Sequence, residues 1–176
     1  MYKLSIIIPV YNEITSLGQI IDKIKNISMD ISYEIILVDS GSSDGSSELI
    51  KKISEREHFK SIYLKKNLGK GYCIRQALRL AAGEIILIQD ADLEYDPADY
   101  KKLLEPLLTS SAKFVLGSRH LSANTWRIRT TTRKSYYMEV INLGSEFLTK
   151  LFCFLYSVKI TDTQTMYKIF YKNLFK

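Results

Sequence analysis

The chain has 176 residues, 46% hydrophobic and 25% charged, with a net charge of +6 and two cysteines. That length suits one domain with a real core, and Cys73 and Cys153, far apart in sequence, supply neither a disulfide framework nor a metal-ligand spacing, so a reducing cytoplasm fits. The opening "MYKLSIIIPVYNE" is too short an apolar run, broken at Pro9, for a signal peptide, and nothing approaches the ~20 apolar residues of a membrane span.

An apolar run, LSIIIPV (4–10), comes first, and behind it Leu17, Ile20, Ile21, Ile24 and Ile27 recur at helical spacing with Ser16 as a candidate cap. YEIILVD (33–39) is followed by helical Leu49, Ile50 and Ile53. SIYL (61–64) is followed by Ile74, Ala77, Leu78 and Ala81, with Gly83 expected to close that helix. EIILIQD (84–90) leads to Asp96-Pro97, an expected N-cap and first helical residue, and KFVLGS (113–118) ends the series. Short, nearly continuous apolar runs of this kind read as strands buried on both faces. Their alternation with helices predicts an α/β fold, a mostly parallel central sheet flanked by helices.

Beyond residue 118 the pattern changes. Residues 119–135 form a polar, basic loop, residues 136–160 an aromatic-rich amphipathic helix, and residues 161–170 end in a strand. The helix stripe of Phe147, Leu148, Leu151, Phe152, Phe154 and Leu155 is expected to be core, with an interfacial helix facing lipid as the alternative. Charge divides similarly: residues 1–100 carry 12 Lys/Arg against 15 Asp/Glu, and residues 101–176 carry 13 against 4. A basic half suits a polyanionic partner or simply a solvated surface.

Parallel sheets bind ligands at the carboxyl ends of their strands, and the polar groups Asn12-Glu13, Asp39–Asp44 and Asp90–Glu94 all fall there. GSSDGSS (41–47) lacks the ending of a P-loop, and NLGKGYC (67–73) lacks the third glycine of a dinucleotide fingerprint. The knot Asp90, Asp92, Glu94 needs a positive neighbour, because crowded carboxylates repel. A divalent cation, Mg²⁺ or Mn²⁺, would supply it and let a nucleotide diphosphate approach. Asp96 and Asp99 read instead as helix-capping groups.

The motifs IPVYNE (8–13), VDSGSSDGS (38–46), KNLGKGYCIRQAL (66–78), DADLEYDP (90–97) and GSR (117–119) occur in the order of a family 2 glycosyltransferase. The chain resembles most the branch of polyprenyl-phosphate or dolichyl-phosphate mannose and glucose synthases, and TDTQTMYKIF (161–170) resembles a later motif of that branch. The resemblance implies a GT-A fold and an inverting, metal-dependent transfer from a nucleotide-diphosphate sugar, such as GDP-mannose or UDP-glucose. The acceptor it implies is a polyprenyl phosphate or an envelope glycan precursor. Two alternatives stay open: transfer to a saccharide hydroxyl in surface polysaccharide synthesis, and a non-catalytic nucleotide-sugar-binding module.

Carried over by motif, Pro9, Tyr11, Glu13, Val38, Asp39, Lys70, Asp90 and Ala91 would hold the nucleotide. Asp90, Asp92 and Glu94 would hold the metal ion. Arg119, Arg133 and Lys168 would meet donor or acceptor phosphates, with Arg133 and Asp162 in the catalytic set. Asp162 is either a base or acceptor-orienting group, or a turn residue; a phosphate acceptor hardly needs a base, whereas a sugar hydroxyl does.

Three departures stand out: Ser40 where the family shows a second aspartate, Met166 where it shows glycine, and an end at Lys176 soon after the last motif. The expected organisation is a single glycosyltransferase domain lacking the C-terminal part of the family. Its nucleotide region is residues 1–118 and its acceptor-side region 119–176. The expected location is cytoplasmic, with peripheral association at the inner face of the membrane as an option, and no nucleic-acid partner.

Overall fold

The computed structural model describes residues 3–118 and 136–175. The basic loop with Arg119 and Arg133 therefore lies outside the described residues. Two compact units are formed: Met1–Val115 with Lys168–Lys176, and Leu116–Tyr167.

The first unit is built on strands β1 (Leu4–Val10), β2 (Tyr33–Asp39), β3 (Lys60–Tyr63), β4 (Ile85–Ile88), β5 (Phe114–Leu116) and β6 (Lys168–Tyr171), in the order β3-β2-β1-β4-β6-β5. β1 to β4 are mutually parallel, whereas β6 runs antiparallel to β4. Helices α1 (Leu17–Lys25), α2 (Ser46–Glu57) and α3 (Lys70–Leu80) make the crossovers between the parallel strands, and α4 (Tyr100–Leu108) leads to β5.

The central strands are apolar along their whole length because both faces are covered. Ile6, Ile7, Ile8, Ile36, Leu37, Ile86 and Leu87 are all inaccessible to solvent. On one face Cys73 and Ala77 of α3, with Ala81 just after it, close over Ile7, Ile36, Val38, Ile86, Ile88 and Phe170. Because the chain leaves β1 for β2 on one side and returns to β4 on the other, the order reverses between β1 and β4. That is the crevice where open α/β sheets take their ligands.

Three local expectations need correction. Ser16 stands at the N-cap position of α1, but its hydroxyl donates to Glu13 Oε2 at 2.6 Å instead of capping the helix. α3 ends at Leu80 with Ala81 extended, so Gly83 is not its stop. Gly83 is required by a close approach: a Cβ there would fall 2.6 Å from the backbone nitrogen of Ser5. Asp96, by contrast, does cap, accepting from the Ala98 N–H at 3.1 Å ahead of a 3₁₀ turn that starts at Pro97. Asp99, the third, stands at the N-cap position of α4 but makes no side-chain cap there, pairing instead with Lys102 at 2.9 Å on the surface.

In the second unit, helix α5 (Tyr136–Tyr156) is the main element. Its apolar stripe is exposed rather than core, with Phe147 63% and Phe154 81% accessible. Within this unit Thr149 meets the Thr163 hydroxyl at 3.0 Å, Ser145 donates to Gln164 Oε1 at 3.0 Å, and Cys153 Sγ donates to the Ile160 carbonyl at 3.3 Å. No helix among the described residues is long and apolar enough to cross a membrane.

Candidate active site at the carboxyl edge of the sheet

Parallel pairing of β1, β2 and β4 brings their carboxyl ends to one rim. There a cavity of about 320 Å³ opens, lined by Pro9 and Val10 at the end of β1, Tyr11 and Glu13 just after it, Ser40 after β2, and Asp90, Ala91 and Asp92 after β4. Asn67, Gly69, Lys70 and Cys73, at the start of α3, complete the lining. Tyr11 is about half exposed.

The rim is held by side chains bonded to backbone. Asn12 takes a left-handed conformation (φ 57°), and its Oδ1 accepts from the Ser43 N–H at 2.8 Å. The Glu13 N–H donates to Ser46 Oγ at 2.8 Å, and the Ile14 N–H donates to Asp44 Oδ2 at 3.0 Å. The Ser46 hydroxyl also donates to Asp44, and these bonds hold the Asp44 carboxyl below its usual range. Asp39 is buried, and its Oδ1 accepts from the Ser42 N–H at 3.1 Å. Gly41 (φ 74°) permits this turn, because a Cβ there would meet the Lys66 backbone at 2.9 Å. Ser40, in place of the family's second aspartate, donates to Asn67 Oδ1 at 3.2 Å; the same oxygen accepts from the Gly69 N–H at 2.8 Å.

The positive neighbour that the carboxylate knot demands is Lys70. Its ammonium is ion-paired with Asp90 Oδ1. Burial pushes its pKa down to about 8; the charge of Lys168 adds to that shift, while Asp92 and Glu94 oppose it. Lys168 stands opposite Ile88 on β6, so it reaches the same rim. Between pH 8 and the ordinary value of 10.5 the unfolded chain still holds a Lys70 proton that the folded chain has released. Stability therefore rises through that window and is lost as pH falls through about 8. Lys70→Met should lack this increment: urea titrations across the window should show the difference between wild type and variant moving in the wild type's favour. A difference independent of pH would contradict the assignment.

Of the expected nucleotide residues Pro9, Tyr11, Glu13, Lys70, Asp90 and Ala91 line this cavity, and of the expected metal residues Asp90 and Asp92 do. Val38 is fully buried in the sheet core, Asp39 sits beneath the rim, and Glu94 and Lys168 lie outside the lining. Asp162 belongs to the second unit; it is 2% exposed, and its Oδ1 accepts from the Gln164 N–H at 3.0 Å, the bond of a turn residue. Ser40, Asn67, Gly69 and Cys73 were not singled out as site residues. Ser40 falls in VDSGSSDGS and the other three in KNLGKGYCIRQAL, motifs whose order carries the resemblance without saying which of their residues line a cavity.

The three acidic residues do not form a ready metal cage. Among the described residues no three His, Cys, Asp or Glu side chains are grouped to hold an ion. Asp90 is engaged by Lys70, and Asp92 Oδ1 accepts from the Glu94 N–H at 3.0 Å, turning the loop rather than joining the carboxylates. The donor set still fits Mg²⁺ or Mn²⁺, ions commonly held by one or two carboxylates with substrate phosphates completing the shell. Asp90 already pairs with the Lys70 ammonium, so a cation can sit beside these carboxylates.

A sheet whose strand order reverses beside a rim cavity lined by Lys70, Asp90 and Asp92 defines an open α/β protein with a candidate ligand site at that rim. The chain matches the family described as "Glycosyl transferase family 2" over residues 5–172, and it belongs to that family. It is 32% identical over 119 residues to a dolichol-phosphate mannosyltransferase of Pyrococcus furiosus, covering 68% of this chain and 34% of that protein. It is 33% identical over 136 residues to an undecaprenyl-phosphate 4-deoxy-4-formamido-L-arabinose transferase of Proteus mirabilis, covering 75% of this chain and 41% of that one. The chain therefore spans less than half the length of these curated relatives. Its fold is GT-A: the glucosyl-3-phosphoglycerate synthase of Mycobacterium tuberculosis, solved with Mn²⁺ and uridine-diphosphate-glucose, superposes with a TM-score of 0.68 at 20% identity, covering 98% of this chain and 57% of that one. Similarity to the two curated relatives supports the polyprenyl-phosphate branch.

Proposed function

We propose that this chain carries the donor-binding core of an inverting hexosyltransferase. It would move a sugar from a nucleoside-diphosphate donor, GDP-mannose, UDP-glucose or a similar compound, onto a polyprenyl phosphate. The observation that carries the reading is the cation-gathering corner of Lys70, Asp90 and Asp92 in a cavity at the strand-order reversal, in a chain whose relatives are named for polyprenyl-phosphate acceptors.

Tyr11 and Glu13, beside Pro9, are placed to receive the nucleoside, with Asp39 supporting the loop below. Asp90 and Asp92 would hold Mg²⁺ or Mn²⁺, with Glu94 beside them. When bound, the ion supplies neutralisation of the charge that develops on the departing nucleoside diphosphate. Lys70 and Lys168 bring further positive charge to the same rim, and Arg119 and Arg133 would add bidentate phosphate contacts. A phosphate acceptor is already an anion near neutral pH, so Asp162 need not remove a proton and serves by shaping its turn. Residues 1–118 would serve the nucleotide and 119–176 the acceptor, at the inner face of a membrane.

A thermal-shift screen of nucleotide sugars with Mn²⁺ or with chelator tests donor binding, because a ligand selective for the native state raises its apparent stability. One donor should raise the midpoint only with metal. Radiolabelled sugar should then enter a lipid-extractable, mild-acid-labile product. Acid-stable product would indicate a saccharide acceptor, and binding without turnover or hydrolysis would indicate a non-catalytic module. The absence of any metal-dependent shift would overturn the reading.

A further inference from the structure

Between Asp90 and Tyr95 the chain leaves the sheet, presents Asp92 and Glu94, and returns to the protein body. Asp92 is half-buried, Leu93 and Glu94 are exposed, and Ala91 and Tyr95 on either side are 3% and 5% exposed. A loop of this shape has two buried feet and an exposed tip. One buried side chain joins the feet. Gln89 is inaccessible to solvent, and its Nε2 donates both to the Asp90 carbonyl at 3.0 Å and to the Tyr95 carbonyl at 3.3 Å. Its Oε1 accepts from the Tyr100 hydroxyl at 2.9 Å, and Tyr100 is itself fully buried at the start of α4.

We infer that Gln89, locked by Tyr100, is a positioning residue for the cation corner: it fixes the span of the 90–95 loop and hence the placement of Asp92. The inference rests on the metal-dependent donor reading above. An amide is suited to this task. It has two N–H donors for two carbonyls, while its oxygen needs a third partner to satisfy it, and the phenol supplies that partner. These three hydrogen bonds of the Gln89 side chain all serve to span the loop or to hold the amide. Gln89 also continues the strand, its N–H donating to the Ile7 carbonyl at 3.0 Å, so the clamp is referenced directly to β1, the other wall of the cavity. Such outer contacts commonly change metal affinity about 10–100-fold when removed. An apolar residue in this place would fill the volume and leave both feet of the loop untied.

The test uses Gln89→Leu and Tyr100→Phe, with Mn²⁺ affinity read by isothermal calorimetry in the presence of a nucleoside diphosphate and loop protection read by amide hydrogen exchange. Gln89→Leu should weaken Mn²⁺ binding by at least about tenfold, and Tyr100→Phe by about threefold. Both should speed exchange at residues 90–95, at temperatures well below their melting points. Should Gln89→Leu fail to fold, Tyr100→Phe decides alone. If wild type binds Mn²⁺ with nucleotide and the folded variants bind it equally well with unchanged exchange, the positioning role is overturned, even if their melting points fall. If wild type shows no metal-dependent binding, the donor reading itself has failed.

Discussion

Asp92→Asn should weaken Mn²⁺-dependent binding of a nucleotide sugar by on the order of 100-fold or more, since even outer contacts to a metal site commonly contribute about 10–100-fold. The substitution removes a charge without removing a shape. The amide keeps an oxygen that can accept from the Glu94 N–H, so the turn that Asp92 makes at 3.0 Å survives. Asp92 is half-buried at the cavity wall, so no core packing is lost. What disappears is one hard anionic ligand, which Mg²⁺ and Mn²⁺ prefer to a neutral amide. Calorimetry with donor and Mn²⁺, alongside far-ultraviolet dichroism to show an intact fold, reads the effect. Equal affinity in the two proteins would remove Asp92 from the metal site.

Glu34→Ala should destabilise the protein by about 3 kcal/mol, and with no direct effect on donor binding, because Glu34 lies at the other end of the sheet. Glu34 begins β2 opposite Ser5 and is 7% exposed. It accepts from Ser5 Oγ at 2.6 Å and from the Ala82 N–H at 2.6 Å, and it pairs with Lys60 at 2.8 Å. Ser5 Oγ in turn accepts from the Gly83 N–H at 2.9 Å. Each donor left buried without a partner costs about 1–3 kcal/mol, while the Lys60 pair, open to water on the lysine side, adds less.

The pH dependence follows. Burial works to raise the Glu34 pKa, but the bonds from Lys60, Ser5 and Ala82 outweigh it and hold it below the ordinary 4.5. The stabilisation is therefore complete above pH 4.5 and is lost as pH falls through the lowered value. Wild type and variant should converge in stability in acid, as followed by denaturant titration. A gap that widens as pH falls below 4.5 would contradict the network.

Both results depend on which end of the sheet a residue occupies, and that much was legible in the chain. The runs LSIIIPV and YEIILVD coincide with β1 (Leu4–Val10) and β2 (Tyr33–Asp39) to the residue, because a strand buried on both faces leaves an uninterrupted apolar signature. The run ending at Asp90 was less legible: β4 is Ile85–Ile88, and Gln89, though its N–H still bonds to Ile7 of β1, turns its side chain to the following loop. The exposure of α5 was not legible either. An amphipathic stripe says which side of a helix is apolar, not whether another layer covers it.

Sequence by itself determined the family, the order of strands and helices, and the rim to which the polar groups would come, because periodicity and motif order are local properties of a chain. Only the tertiary structure decided that Lys70 reaches Asp90 from another element, that Asp92 turns its loop instead of joining a three-carboxylate cage, and that Gln89 ties that loop to Tyr100. Each of these is a contact between side chains brought together by packing. Distance in space, not spacing along the chain, sets which charges meet.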